Sequence, residues 1–194
     1  MKFRFRRVCV YCGSSGGQPP VYLEAARAFG VFLAEHGMGL VYGGGRIGLM
    51  GAVADGAIDA GGEVFGVIPE KLRDLELAHP GLTELFVVDG MHARKTLMAQ
   101  LSDAFVALPG GWGTLEEVFE VTTWAQLNHH HKPVGLLNVN GFYDAMIAHF
   151  DRAAADGFVR PAHRQLLRHA DDAASLMKEL EAVEFPDLRS TLKL

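Results

Sequence analysis

Apolar and polar positions along the chain follow two periods. Short, nearly continuous apolar runs predict strands at 7–11, 39–42, 63–68, 84–88, 104–108 and 133–137, several of them stopped by Gly or Pro. Between them apolar residues recur at helical spacing. The segment 21–36 places Leu23, Ala26, Phe29, Phe32 and Leu33 on one stripe and stops at Gly37. Helices are also predicted at 47–60, 91–101, 115–127 and 142–156, the last ended by Gly157. The segment 70–81 has weak periodicity and reads as a loop with a single helical turn. The tail, 161–180, reads as one or two terminal helices.

Strands that are apolar on both sides belong in a parallel sheet covered on both faces. The expected fold is therefore α/β: a Rossmann-like, doubly wound parallel sheet of six or seven strands with helices on both faces. Crossovers should be right-handed. At 194 residues the chain is expected to be a single nucleotide-binding domain, with 161–194 as a terminal helical appendage. Ligands of such sheets bind beyond the carboxyl ends of the strands, where the strand order reverses. The loops that follow strands are the place to look.

Composition narrows the classes. Hydrophobic residues at 49% and charged residues at 21% supply enough apolar surface to exclude disorder as the main state. A net charge of −5 argues against non-specific nucleic-acid binding, which wants a basic surface. No apolar stretch is long enough to span a membrane. The apolar run after the basic start MKFRFRR is too short for a signal peptide, so the cytoplasm is the expected compartment. Cys9 and Cys12 form a literal C-x-x-C, but they lie on a predicted strand and not at a helix start. They are read as buried structural thiols, not a redox or zinc pair.

Glycine is abundant, at 23 residues, and clustered. Three loops after strands are glycine-rich: Cys12-Gly13-Ser14-Ser15-Gly16-Gly17, Gly43-Gly44-Gly45-Arg46-Ile47-Gly48-Leu49-Met50-Gly51, and Pro109-Gly110-Gly111-Trp112-Gly113-Thr114. Tight turns alone would call for glycine. Three such loops on one sheet edge point further, to backbone N–H groups and helix N-termini that cradle phosphate. Gly13, Ser14, Gly43, Gly44, Gly45, Gly48 and Met50 are the candidate phosphate-loop residues. Gly43 to Gly48 also spells G-x-G-x-x-G. It follows the second strand, however, and lacks an acid at the end of the third, so a mononucleotide phosphate is favoured over a dinucleotide.

The third loop runs into Leu115, Glu116 and Glu117. Acids there would suit the dipole of a helix start, or one carboxylate could face the cleft. A fourth loop, Asp89-Gly90-Met91-His92-Ala93-Arg94-Lys95, opens a helix with two cations, which oppose the dipole and call for an external anion.

Several of these blocks together resemble a known family. PGGWGTLEE is similar to the P-G-G-x-G-T-x-x-E signature of the LOG ("Lonely guy") family. YGGGRIGLMG, MHARK and WAQLNHHHKPVGLLNVNGFYD resemble its flanking blocks, over about residues 8–159. That family, long labelled lysine decarboxylases, hydrolyses nucleoside 5′-monophosphates, including cytokinin riboside monophosphates, to free base and ribose 5-phosphate. The resemblance implies a Rossmann-like fold, no organic cofactor and at least a dimer. It implies Arg94 and Glu117 as catalytic residues. It implies substrate binding by Glu76, Arg94, Lys95, Gly110, Gly111, Trp112, Gly113, Thr114, Leu115, Glu116, Glu117 and Thr123. Glu76 lies in a loop that departs from the family sequence. Trp112 stands where the family often has Tyr or Phe.

A carboxylate beside the ribose suits the oxocarbenium-like state of N-glycosidic cleavage. The alternative is a non-catalytic nucleotide-binding or sensor protein on the same fold. A pyridoxal-phosphate decarboxylase is disfavoured, since Lys95 is its only plausible Schiff-base lysine and sits beside an arginine. His129, His130 and His131 end a helix, where adjacent histidines cannot all face one ion, so no metal is expected.

Overall fold

The computed structural model describes residues 3–76 and 78–186, with the side chains of 74–76 outside the description. The elements run β1 (Arg7–Tyr11), α1 (Val21–Glu35), β2 (Gly39–Tyr42), α2 (Gly48–Asp59), β3 (Val64–Pro69), α3 (Glu70–Glu76), β4 (Glu84–Val88) and α4 (Met91–Leu101). They continue with β5 (Ala104–Ala107), α5 (Trp112–Gln126), β6 (Val134–Leu137), α6 (Asp144–Ala155), α7 (Pro161–Arg164), β7 (Leu167–Ala170) and α8 (Ala173–Glu181). A short 3₁₀ turn, Val139–Gly141, precedes α6.

The seven strands form one sheet in the order β4-β3-β2-β1-β5-β6-β7, and every pairing is parallel. The chain lays β1 to β4 outward in one direction, then returns to place β5 on the other side of β1. This is the doubly wound, Rossmann-like arrangement that the apolar runs predict.

Successive side chains on a strand point to opposite faces, and β1 shows why both faces are apolar. Val8 and Val10 enter a core with Phe29 and Leu33 of α1, Leu49 and Val53 of α2, and Leu176 and Leu180 of α8. Cys9 and Tyr11 enter the opposite core with Phe105 of β5 and Val118 and Val121 of α5.

Three segments differ from the sequence expectation. The described tail holds two helices, α7 and α8, as expected, but also a strand between them that was not. Leu167–Ala170 pairs with β6 as the seventh strand, and α8 buries Leu176, Met177 and Leu180 against the sheet. As an edge strand, Leu-Arg-His-Ala is covered on few sides and carries little apolar signal. The 70–81 segment holds a helix of 7 residues, α3, where one turn was expected. Finally, α5 starts at Trp112, not Leu115.

Candidate active site

The strand order turns at β1 and β5. The loops after these two strands part, and a crevice opens beyond their carboxyl ends. A cavity of about 250 Å³ occupies it. Its walls come from the end of β1 and the loop after it (Val10 to Ser14), Gly43 after β2, Met50 of α2, one face of α4, and the start of α5.

The start of α5 is the anion-receptive wall. Gly111 is the N-cap residue and no side chain caps the helix. The Leu115 N–H is bonded back to the Gly111 carbonyl at 3.1 Å, so the N–H groups of residues 112–114 precede the helical ladder. Gly111, Trp112, Gly113 and Thr114 line the cavity, at the positive end of the helix dipole. Gly110 lies beneath this turn: a Cβ built there would run into the buried Thr114 hydroxyl. Trp112 is almost fully exposed, at 90%, and stands at the mouth.

The G-x-G-x-x-G segment does something different. The N–H groups of Leu49 and Met50, at the start of α2, approach the Gly13 carbonyl at 3.1 and 3.4 Å. The Gly44 carbonyl accepts the His79 N–H at 3.1 Å. This helix start is therefore filled from within. Of the helix starts expected to cradle phosphate, that of α2 is thus closed, whereas that of α5 is open. Among the described residues, Gly13, Ser14, Gly43 and Met50 line the cavity, and Gly44, Gly45 and Gly48 do not.

Arg94 is buried and held by the sheet. Its Nε donates to the Val67 carbonyl at 3.1 Å and its Nη2 to the Gly43 carbonyl at 3.1 Å. Backbone carbonyls of β3 and of the loop after β2 thus answer part of the charge that opposes the α4 dipole. Nη1 lies 3.9 Å from the Met91 sulfur. Met91, Arg94 and Met98 follow i, i+3, i+7 spacing and form the cavity face of α4.

Lys95, one residue on, is turned about 100° from that face and is not among the lining residues. Its Nζ contacts Glu116 Oε1 at 2.5 Å and Glu120 Oε2 at 3.0 Å. Burial pulls its pKa down, but the bonds and charges of these two glutamates outweigh that and hold it above an ordinary lysine.

Glu116 and Glu117 are the fifth and sixth residues of α5, and its first turn holds no acid. The helix-start explanation for them is thereby corrected: Trp112, Gly113 and Thr114, expected as loop, form the first turn. Both acids line the cavity. Leu115 and Thr123 lie instead along a neighbouring groove on the outer face of α5 with Trp112, Phe119 and Trp124. Glu76 ends α3, and its side chain is outside the described residues.

Tyr11 and Cys12 also line the cavity, although the sequence pattern marks Tyr11 only as strand core. The signal was its place at the carboxyl end of β1. Burial raises the pKa of Cys9, Cys12 and Tyr11 well above their ordinary ranges, so thiols and phenol stay protonated. Cys9 is a core thiol as expected, whereas Cys12 is only half-buried. Of the three histidines, two pack on different aromatic rings. His130 packs on Phe105, with ring centroids 5.3 Å apart, and His131 on Phe185, also at 5.3 Å.

An open helix start, a fixed arginine and a carboxylate surround one switch-point cavity, the place where Rossmann-like α/β folds bind ligands. Residues 50–180 match the family model described as "Possible lysine decarboxylase". A probable cytokinin riboside 5′-monophosphate phosphoribohydrolase of Oryza sativa subsp. japonica is 55% identical over 178 residues, 92% of this chain and 78% of that protein. A cytokinin riboside 5′-monophosphate phosphoribohydrolase of Arabidopsis thaliana is 48% identical over 193 residues, 98% of this chain and 89% of its own.

Among solved structures, the molybdenum cofactor carrier protein of Chlamydomonas reinhardtii is similar with a TM-score of 0.67 and 27% identity, covering 91% of this chain and 98% of that one. The chain belongs to the LOG family. Among the described residues, no helix is long and apolar enough to cross a membrane.

Proposed function

We propose that the chain hydrolyses the N-glycosidic bond of nucleoside 5′-monophosphates, AMP and cytokinin riboside 5′-monophosphates among them, to free base and ribose 5-phosphate. One observation carries this reading: the open start of α5, Arg94 and Glu117 line one cavity. The names of the rice and Arabidopsis relatives support it.

The N–H groups of 112–114 and the helix dipole bind the 5′-phosphate. Binding energy from that remote group holds the sugar in register. As the C1′–N bond lengthens, positive charge develops on the ribose, and the Glu117 carboxylate stabilises it. Water adds its oxygen to C1′. Glu117 takes a proton from that water, the base leaves with the bonding pair and takes up a proton from solvent, and Glu117 gives its proton back to solvent, which restores the carboxylate. Arg94, fixed by two carbonyls, offers its remaining N–H groups to the substrate.

Activity is compared on AMP and adenosine, with free base read by chromatography. Release of adenine from AMP but not from adenosine is expected. Equal rates on both would sink the phosphate argument. Neither a metal nor an organic cofactor enters the reaction, so EDTA leaves the rate intact. Loss restored by zinc or magnesium would overturn that.

We further propose a cytoplasmic homodimer that takes small nucleotides and neither nucleic acid nor membrane. The exposed Trp112 and Phe119 beside Leu115 and Trp124 support an apolar face on α5 for the second copy. Light scattering near 21 kDa at micromolar protein would contradict it. The second reading is a non-catalytic binder, favoured by the likeness to a carrier protein. Saturable AMP binding without adenine release would select it.

A further inference from the structure

We propose that Lys95 is a positioning residue: it sets the Glu117 carboxylate by clamping α5 to α4, and it does not bind the substrate phosphate. This rests on the hydrolase reading given above.

The Lys95 side chain is 7% exposed; its Nζ donates to Glu116 Oε1 and forms an ion pair with Glu120 Oε2, 3.0 Å away, both on α5. Glu116 and Glu120 are four residues apart, so they stand on one face of the helix and grip the ammonium together. The cluster of one ammonium and two carboxylates carries a net charge of −1. A phosphate brought to Lys95 would meet that negative charge and would have to displace a glutamate. The open N–H groups of 112–114 offer it a better place.

What the clamp does follows from its neighbours. Arg94 is bonded to backbone carbonyls of β3 and of the loop after β2, which fixes the start of α4 to the sheet. Lys95, the next residue, fixes α5 to α4. Glu117 follows Glu116 directly and projects about 100° away from it, into the shared cavity. The pairing therefore sets how Glu117 faces Arg94 across the site. A lysine placed for phosphate would act on binding, whereas this one acts on turnover.

The test is a cycle of four full-length proteins: wild type, Lys95→Met, Glu116→Gln with Glu120→Gln, and all three substitutions together. Turnover of AMP, ribose 5-phosphate affinity by calorimetry and melting temperature are measured on each. Lys95→Met is expected to lower kcat about tenfold or more, while KM and the ribose 5-phosphate Kd move less than about threefold. In the double-glutamine background the same substitution should cost almost nothing, because residues acting through one another are not additive. The triple variant buries no unpaired charge, so the comparison survives if Lys95→Met alone fails to fold. Lys95→Arg, which can bridge both carboxylates, should keep kcat within about threefold.

A ribose 5-phosphate Kd raised more than about tenfold in both backgrounds would make Lys95 a phosphate ligand and overturn the proposal. Additive losses of kcat would overturn it too. If the wild type releases no base, the hydrolase reading fails by itself. The clamp then stands on non-additive melting temperatures and falls if they add.

Discussion

Arg94 Nη2 donates to the Gly43 carbonyl at 3.1 Å, and a Cβ built on Gly43 would occupy the place of that nitrogen. Gly43 is therefore the empty space in which the guanidinium lies. The obstacle is the far end of a flexible side chain, so Gly43→Ala should fold. Its melting temperature is expected within about 4 °C of wild type. Arg94 must move aside, and kcat should fall about 10²-fold, the usual cost of an ångström-scale misplacement. Arg94→Lys keeps the charge but loses the fork, and should fall similarly. Steady-state kinetics of the two singles and the double decide the matter. A double variant no worse than Arg94→Lys shows that Gly43 acts through Arg94, and multiplied losses would refute it.

Gly48, five residues on, should behave in the opposite way. Its φ is +59°, and a Cβ there would overlap the backbone carbonyl of Ser14. Neither the left-handed backbone nor a backbone carbonyl yields cheaply. Gly48→Ala is expected to cost about 2 kcal/mol or more of stability. Urea denaturation measures it. A Gly48→Ala protein as stable as wild type would show that the loop after β2 is looser than its hydrogen bonds to Gly13 and His79 imply.

Gly43 and Gly48 belong to one sequence motif, and only the fold separates their roles. The pattern of glycines announced a functional edge but could not say which helix starts stay open. That depended on the Gly13 carbonyl reaching Leu49 and Met50, a contact across two strands. The strands of the sheet centre were legible because both faces are covered, so their apolar runs are unbroken. Edge strand β7 was not, since half of its short run is polar. The motif blocks pointed to Arg94 and Glu117, and the structure brings both to one cavity. The partners of Lys95 were not: Glu116 and Glu120 are ordinary helix acids until the crossing of α4 and α5 brings them to it. Their four-residue spacing was the signal available.

The His130 environment makes stability depend on pH. Its Nδ1 accepts the Lys132 backbone N–H at 3.1 Å, and its ring packs on Phe105. Burial first, then the Lys132 charge, lowers its pKa to about 4. Unfolded, the ring titrates near 6.5. Between those values the unfolded chain binds more protons than the folded one. This contribution is thus complete above about pH 6.5 and is lost as pH falls toward 4. Wild type should lose more melting temperature between pH 7 and pH 4 than His130→Gln, which has no ring to protonate. Parallel pH profiles for the two proteins would remove the assignment.

Glu116 and Glu117 divide the labour of the two acids at the cavity. Glu116 is half exposed and is one of two partners for Lys95, so Glu116→Gln leaves Glu120 in place. Its stability cost should stay below about 1 kcal/mol, because Glu116 itself is half exposed and Glu120 still answers the Lys95 charge. In the proposed reaction Glu117 has the chemical role. Glu117→Gln presents a neutral amide where positive charge develops on the ribose, and kcat should drop about 10²-fold or more. Ribose 5-phosphate affinity should barely change, because the backbone donors of 112–114 are untouched. Turnover, product affinity and melting temperature of both variants, measured side by side, separate the roles. If Glu116→Gln is the inactive enzyme and Glu117→Gln the active one, the carboxylate that faces the ribose has been misassigned, even though the family and the cavity stand.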